Sequence, residues 1–390
     1  MHELPVADPA ARQAWLAAEQ ARYLDDPCIA AHLLAPTQAL YEEVIAEGPG
    51  DFGVALALHL AELLGETWSS DQVEAVLDPV MPWLELGFGA SQRVTILALR
   101  CRMHWRFGRL HQAHALLAPL THYAATSGAV IDQAHHARAL GHLLSAQQQY
   151  AEAIVNLRRA IAGYTAAEHR GHWCDLFVSL SLALRASGDP DGALASLQQG
   201  VAVATSQRRW VSVCNALSGI VEDHVTRGQY REAEVALAQA HEKLEWAGPT
   251  GLRIAKEVHA AEAVLHAARG DYSRAAALMK DVAKATRQWS MRRQLVRRLK
   301  QLAPWQLADG QTEAAFATQQ QAHELELAEA RDVARRDMSD SLERVELAHA
   351  RRLDDVHGPL QAALAALPTD AVAARDQIER ALDLLGRHGG

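Results

Sequence analysis

A six-residue pattern that recurs at a nearly constant interval constrains the fold of this chain more than any other feature. Its clearest copy is Gly228-Gln-Tyr-Arg-Glu-Ala233. The copies begin at Gly108, Gln148, Gly188, Gly228, Gly270 and Gly310, and only the step from Gly228 to Gly270 is slightly longer than the others. A period of about 40 residues is typical of solenoids, in which each repeat packs mainly on its two neighbours. Because glycine suits the left-handed residue that ends a helix, each copy is predicted to be a turn between two helices.

Composition indicates that the elements between these turns are helices. The chain has 390 residues and is 49% hydrophobic but only 5% aromatic, so its core would be built mainly from Ala and Leu, which are strong helix formers. Runs of β-branched residues are nearly absent, which favours an all-α fold. The pattern predicts the following helix pairs: 91–106 with 110–124, 131–146 with 150–166, 172–186 with 190–205, 210–226 with 230–246, 251–268 with 272–287, and 290–307 with a helix from 312 onward.

The repeats divide the chain into three predicted parts. Residues 91–325 form the regular solenoid, and residues 1–90 are expected to be degenerate repeats that cap it. In that N-terminal part Ser69 or Ser70 is suited to cap a helix, and Pro27 to begin one. Residues 326–390 are expected to form a long helix or coiled coil followed by a helical hairpin.

Charge and cysteine content exclude several classes of function. Residues 1–90 carry fifteen Asp or Glu and two Arg, which does not suit a general nucleic-acid binder. The four cysteines lie far apart, as expected of buried thiols in a reducing compartment. The chain lacks a signal-peptide pattern and any apolar run long enough to span a membrane, so we expect a soluble, cytoplasmic protein.

The repeats resemble tetratricopeptide repeats. One unit reads Leu217, Ile220, His224, Gly228, Tyr230, Ala233, Leu237, Ala240, and the match extends over 91–325. The period is about 40 residues, whereas that family uses 34, and this longer variety resembles repeats of bacterial signalling and transcriptional regulators. The resemblance implies a right-handed solenoid with a concave groove lined by the first helix of each pair. Small residues such as Ala153, Ala193 and Ala233 would let the two helices of a pair cross closely.

Carried onto this sequence, the groove positions of that family are polar and mostly cationic. They are Arg102, Trp105, His135, Arg138, His142, Arg185, Asn215, Ser218, Glu222, Arg297 and Lys300. The residue types predict a groove for an acidic peptide or a C-terminal carboxylate, because arginine binds carboxylates through two parallel hydrogen bonds. A solvated groove without a dedicated ligand is the alternative.

A second cationic stretch precedes and enters the last repeat. Arg287, Arg292, Arg293 and Arg298 recur near helical spacing and are predicted to form one basic face, with no acidic residue between Asp281 and Asp309. Phosphate or nucleic acid could bind such a face, but it lacks interleaved aromatic residues, so a solvated face or a protein contact is favoured. The twenty histidines lack acidic or cysteine companions at ligand spacing, so we expect no metal and no cofactor.

The C-terminal part favours self-association. Apolar positions there step by three or four residues, as in a coiled coil, which predicts a homodimer through Met338, Leu342, Val345, Leu353 and Val356. The segment His349-Ala-Arg-Arg-Leu-Asp-Asp-Val-His-Gly358 resembles part of the metal and nucleotide site of GGDEF-type diguanylate cyclases. Because the sequence ends before that family's metal-binding acidic residues, we expect no cyclase activity. The same region resembles the dimerisation hairpin of histidine kinases, with Asp354 where the phosphorylated histidine belongs.

These observations predict a non-enzymatic regulatory scaffold in bacterial signalling that binds a peptide or protein in its groove. The first alternative is the sensor portion of a signalling enzyme of cyclase or kinase type whose catalytic part is degenerate or missing. The second is a transcriptional regulator that uses the basic face on nucleic acid.

Overall fold

The computed structural model describes residues 8–67, 70–170, 173–248, 251–288, 291–328 and 331. Within these ranges the regular elements are all helical, which confirms the predicted all-α class. Residues Met1–Ala322 form one compact unit and His323–Gly390 a second. The predicted dimerisation positions, the coiled coil and both C-terminal resemblances lie outside the described residues. None of the described helices combines the length and apolar character needed to cross a bilayer.

The N-terminal part begins with three helices of 17 or 18 residues and continues with two short ones. They are α1 (Pro9–Asp25), α2 (Ala30–Glu47), α3 (Asp51–Thr67), α4 (Ser70–Leu77) and α5 (Met81–Glu85), with short 3-10 helices at Pro27–Ile29 and Asp78–Val80. Pro27 begins the first 3-10 helix, and the Asp26 carboxylate accepts a hydrogen bond from the Cys28 N–H at 3.1 Å. An aspartate in that position satisfies a donor that the helix itself cannot pair.

Regular helix pairs follow from α6 onward. They are α6 (Arg93–Arg106) with α7 (Leu110–Ala115) and α8 (Leu117–Ser127), α9 (Val130–Ala146) with α10 (Tyr150–Ala166), α11 (Leu176–Ala186) with α12 (Pro190–Ser206), α13 (Trp210–Thr226) with α14 (Tyr230–Trp246), α15 (Gly251–Ala268) with α16 (Tyr272–Gln288), and α17 (Arg292–Ala308) with a helix over 312–328. Most ends agree with the predicted ranges to within about two residues. Two differ, since α11 begins four residues late and the helix predicted over 110–124 is broken at Leu116.

The recurrent turn ends a helix in the expected way. Gly228 has a φ of +72°, and its N–H donates to the Val225 carbonyl at 3.0 Å. The next N–H, of Gln229, reaches back to the His224 carbonyl at 2.9 Å. This pair of bonds satisfies two carbonyls at the helix end and requires a left-handed residue, which explains why glycine recurs at this position.

Gln148 occupies the same repeat position with a φ of +63°. A left-handed conformation costs a residue with a Cβ about 1–2 kcal/mol. We therefore expect Gln148→Gly to raise the free energy of unfolding by about 1 kcal/mol and Gly228→Gln to lower it by a similar amount. Both sites are exposed, and a Cβ added at Gly228 would meet no atom within 4 Å. The two substitutions therefore measure the cost of the left-handed backbone without a change in side-chain packing. Urea unfolding measures both changes, and a loss of stability in Gln148→Gly would contradict the argument.

Small buried residues bring the two helices of each pair together. Ala153, Ala193, Ala233 and Ala275 are completely buried at equivalent positions of α10, α12, α14 and α16. The core forms a series of clusters along the chain, one of which joins α13 to α15 through Val213, Leu217 and Val258. Contacts of this kind between neighbouring repeats are what stabilises a solenoid. The packing places the first helices of successive pairs side by side, and their shared face carries the candidate site.

Candidate functional site

One position of the repeat supplies a polar side chain to the same face in five successive units. The residues at this position are His135, Asp175, Asn215, Glu257 and Arg297, and they are spaced as the recurrent turns from Gln148 to Gly310 are. They lie on or just before the first helix of each pair, from α9 to α17. Because these helices lie side by side, residues at the same position of successive repeats are neighbours in space.

The last four of these residues line one cavity of about 310 Å³. This volume is at the lower end of the range for small-ligand sites. The cavity is lined by Trp105, Arg106, Asp175, Val178, Ser179, Ser181, Leu182, Arg185, Asn215, Ser218, Gly219, Glu222, Ile254, Lys256, Glu257, Gln294 and Arg297. We call it the groove cavity.

Six of the eleven predicted groove residues belong to the lining of this cavity, and the other five do not. The six are Trp105, Arg185, Asn215, Ser218, Glu222 and Arg297. Arg102, His135 and Arg138 instead line a smaller cavity of about 40 Å³, together with Glu62, Thr95, Ala98, Leu99 and His169. His142 is buried, and Lys300 is exposed on α17, away from both cavities.

A buried ion pair forms the floor of the cavity on the side of α9 and α11. Arg138 Nη2 lies 2.8 and 3.0 Å from the two carboxylate oxygens of Asp175. Burial alone would raise the pKa of the Asp175 carboxyl, but the guanidiniums of Arg138 and Arg102 outweigh it and hold that pKa below its usual range. Arg138 is therefore paired inside the protein. The groove prediction required an accessible guanidinium at this position, which Arg138 does not provide.

An aromatic stack lies beside this pair. The Trp105 indole stacks on the His142 imidazole, with ring centroids 4.0 Å apart and planes 6° from parallel. His142 Nε2 lies 3.1 Å from the Ser179 hydroxyl oxygen. Burial lowers the pKa of His142 to about 3, with the nearby Arg138 guanidinium acting in the same direction. The imidazole is thus neutral at pH 7 and supports the indole that forms a wall of the groove cavity.

A second buried ion pair forms the floor between α15 and α17. Arg298 donates from Nη2 to Glu257, and Lys256 Nζ lies 3.0 Å from the same carboxylate. Burial would raise the pKa of Glu257, but Arg298 and Lys256 outweigh it and hold the pKa low. Arg298 was predicted on the exposed basic face, and that placement is wrong. It follows Arg297 by one residue, or about 100° around α17, and so points onto α15.

Two guanidiniums at the rim of the cavity are more accessible than those of the floor. Arg185 Nη2 makes one contact of 3.3 Å to Asp223, which makes a shorter bond of 2.6 Å to Arg227. Arg297 has a side chain that is 51% exposed, and its contact to Glu222 is 4.0 Å long. Arg298 and burial both lower the pKa of Arg297, because another cation lies close by. An anionic ligand group would relieve that repulsion.

Asp175, Glu257 and Leu182 are cavity residues that the sequence prediction missed. Asp175 lies one repeat after His135, Leu182 one repeat after His142, and Glu257 one repeat after Asn215. Strict use of the repeat phase, including the one longer step, would have found all three. Their residue types gave no such signal, because the resemblance favoured cationic positions.

Two of the predicted basic-face residues lie on the surface outside the groove cavity. Arg287 and Arg292 are exposed, and the side chain of Arg293 is outside the described set. Among the described residues, histidine, cysteine and carboxylate side chains form no group of three or more that could hold a metal ion.

Comparison with known proteins identifies the fold but no sequence family. No protein-family model matches the sequence. No curated protein sequence matches it either. Solved structures are similar, among them a Rap protein complexed with competence and sporulation factor, with a TM-score of 0.57 and 13% identity over 86% of this chain and 98% of that one.

Two further structures agree with this likeness. NprR in complex with its cognate peptide NprX has a TM-score of 0.51 and 12% identity over 84% of this chain and 98% of that one. A signal transduction ATPase with a tetratricopeptide repeat sensor from Pyrococcus horikoshii has a TM-score of 0.50 and 11% identity over 86% of this chain and 50% of that one. Together with the helix pairs and the recurrent turn, this likeness shows that the chain has the α-solenoid fold of tetratricopeptide-repeat proteins.

Proposed function

We propose that this chain is a regulatory scaffold that binds a peptide or protein segment carrying an anionic group in the groove cavity. One observation carries the proposal. The side chains of Arg185 and Arg297 at the rim are 35% and 51% exposed, whereas Asp175 and Glu257 are neutralised by buried cations. Guanidinium groups bind carboxylates through short, charge-assisted hydrogen bonds. The groove therefore favours anions although its lining carries charges of both signs.

Apolar surface next to the rim narrows the ligand further. Leu182 lines the cavity and is 50% exposed, and Trp105 lies on the same lining. Leu182 and Arg185 are three residues apart on α11, so their side chains lie on one face about 5–6 Å apart. A ligand residue with a carboxylate beside an apolar side chain fits this spacing. The C-terminal residue of a peptide has that arrangement, and so does an acidic residue followed by an apolar one.

The titration of the floor carboxylates supports binding rather than catalysis. A general acid or base needs a pKa near the working pH. The ion pairs hold the pKa values of Asp175 and Glu257 low instead, so both groups stay ionised and fixed. Two of the similar structures are complexes, one with a factor and one with a cognate peptide. We therefore propose a non-enzymatic role. The proposal also includes a role without a cofactor, a cytoplasmic bacterial signalling context and a homodimer formed by the C-terminal helices.

A peptide library tests the groove directly. Fluorescence polarisation against short labelled peptides ending in apolar residues should yield binders whose affinity falls about 10- to 100-fold in Arg185→Gln/Arg297→Gln, because a hydrogen bond to a charged group contributes about 1.5–3 kcal/mol. Amidation of the peptide C-terminus should abolish binding if the terminal carboxylate is recognised. If an acidic side chain is recognised, Asp→Asn or Glu→Gln in the peptide should abolish it instead.

The matched control is Arg158→Gln/Arg231→Gln. It removes the same charge from exposed positions of α10 and α14, outside the groove cavity. Equal affinities in the groove variant and this control would show that binding does not use Arg185 and Arg297. The proposal would then fail.

A further inference from the structure

A segment near the N-terminus contacts repeats that lie far from it in sequence. We call residues 23–28, the end of α1 and the start of the following 3-10 helix, the N-terminal strap. Arg170 Nη1 lies 3.0 Å from Asp25 Oδ1, and Arg170 Nη2 donates to the Leu24 carbonyl at 3.2 Å. At the other end of the strap the Cys28 thiol lies 3.5 Å from the Trp246 carbonyl oxygen. These contacts join residues 145 to 218 positions apart.

The centre of this contact is buried. Arg209 and Tyr23 are 4% and 3% exposed. Arg209 Nη1 donates to the Tyr23 hydroxyl at 3.3 Å, and its guanidinium carbon lies 5.1 Å from the centroid of the tyrosine ring. Arg209 Nη2 also donates to the Arg170 carbonyl at 2.6 Å. One guanidinium thus ties the strap to two turns of the solenoid at once.

The three points of contact lead directly into three helices of the groove cavity. Arg170 precedes α11, Arg209 is the N-cap of α13, and Trp246 ends α14 just before α15 begins. α11, α13 and α15 contribute most of the cavity lining, including Arg185, Asn215 and Glu257. The strap therefore contacts the segments that lead into α11, α13 and α15. The spacing of these three helices sets the width of the cavity.

Solenoids are flexible in curvature because each repeat contacts mainly its neighbours, and small rotations add along the stack. A contact that bridges several repeats removes this freedom. We infer that the strap, held by Arg209 on Tyr23, fixes the spacing of α11, α13 and α15, which makes Arg209 a positioning residue of the groove cavity. The exposed pair of Arg170 and Asp25 contributes little, because surface ion pairs are weak. The inference concerns the unliganded chain, so it stands independently of the proposed ligand.

Cysteine reactivity and hydrogen exchange, both measured on the full chain, test whether the strap fixes the spacing of α11, α13 and α15. Burial raises the pKa of Cys101, Cys174 and Cys214 to about 12, so an aromatic disulfide reagent at pH 8 should report on Cys28. Arg209→Met keeps the apolar stem and removes the guanidinium. It should raise the rate of Cys28 modification about tenfold, as expected for the loss of a charge-assisted hydrogen bond. Amide exchange over 213–222 and 254–265 should accelerate in parallel.

Arg208→Met is the control, because it removes the same charge from an exposed neighbouring residue. It should match wild type in both measurements. Tyr23→Phe removes only the hydroxyl acceptor and should give a smaller change in the same direction, which keeps the test valid if Arg209→Met folds poorly. Unchanged Cys28 reactivity in both strap variants would overturn the inference. So would faster Cys28 modification with unchanged exchange in α13 and α15, because the strap would then be a tether that does not position the groove.

Discussion

Asp175→Asn is expected to lower the free energy of unfolding by about 3–5 kcal/mol, the typical cost of removing one partner of a buried ion pair. The Arg138 guanidinium would keep its buried position and lose its carboxylate. Its side chain is only 7% exposed, so water cannot replace the lost partner without rearrangement. Arg102 lies close enough to affect the same titration, so the substitution would leave two cations with one carboxylate fewer. Urea unfolding followed by circular dichroism measures the change.

Two comparisons separate this effect from a general loss of packing. Asp25→Asn removes the carboxylate of an exposed pair with Arg170 and should cost less than about 1 kcal/mol. The double variant Arg138→Met/Asp175→Leu replaces the pair by apolar groups and should recover most of the loss, since buried pairs are often no more stable than apolar replacements. If Asp175→Asn cost no more than Asp25→Asn, the floor of the groove cavity would not depend on this pair.

Acidification is expected to destabilise the fold steeply below about pH 6. Burial is the largest cause that lowers the pKa of four histidines: His59 and His104 to about 4, and His135 and His142 to about 3. A histidine in the unfolded chain titrates near 6.5, so the unfolded state binds more protons as pH falls. The stabilisation is complete above pH 6.5 and is lost toward pH 3–4. Each histidine contributes about 1.4 kcal/mol per pH unit in that window, and the four together about 5 kcal/mol per unit.

Single variants identify the source of this slope. Both ring nitrogens of His59 are buried without a hydrogen-bond partner among the described residues. His59→Leu should therefore reduce the slope by about one proton and should not weaken the fold at pH 7. His142→Gln should reduce the slope equally but cost stability at pH 7, because it disturbs the contact to Ser179 and the stack under Trp105. Urea titrations between pH 7.5 and 4.5 give the slopes. A slope that neither variant changes would assign the acid sensitivity to other groups.

The sequence predicted most of the helix ends because the signals are local. The glycine that ends a helix, as at Gly228, and the small residue that follows it, as at Ala233, recur at a fixed spacing whatever surrounds them. The helix break at Leu116 was missed, although Pro119 marks it locally: proline has no N–H to donate to the Ala115 carbonyl, and it suits the first turn of α8. About half of the predicted groove residues line the cavity. The position of a residue in the repeat predicts which face of the helix it lies on, but not how deeply its side chain is buried.

The burial of each arginine side chain and the residue that it pairs with depended on the tertiary structure. Arg138 and Arg185 have the same charge and belong to the first helices of consecutive repeats, yet one lies in the floor with Asp175 and the other at the rim. Arg297 and Arg298 are adjacent in sequence and face the groove cavity and α15, respectively. The partners of Arg138, Arg185 and Arg298 come from a repeat 37 to 41 residues away. A rotation by one residue on a helix therefore moves a side chain between floor and rim.

The sequence by itself determined the architecture: its period, its helix pairs, its turns and the face that they share. Those features follow from local backbone preferences repeated at constant spacing, which need no knowledge of distant contacts. Only the tertiary structure decided which cations of that face are already paired and where the N-terminal strap is held. Both depend on contacts between residues far apart in the chain, such as Arg209 with Tyr23, for which no periodic signal exists. The recurrent turn therefore defines the scaffold, and contacts across the repeats define the groove.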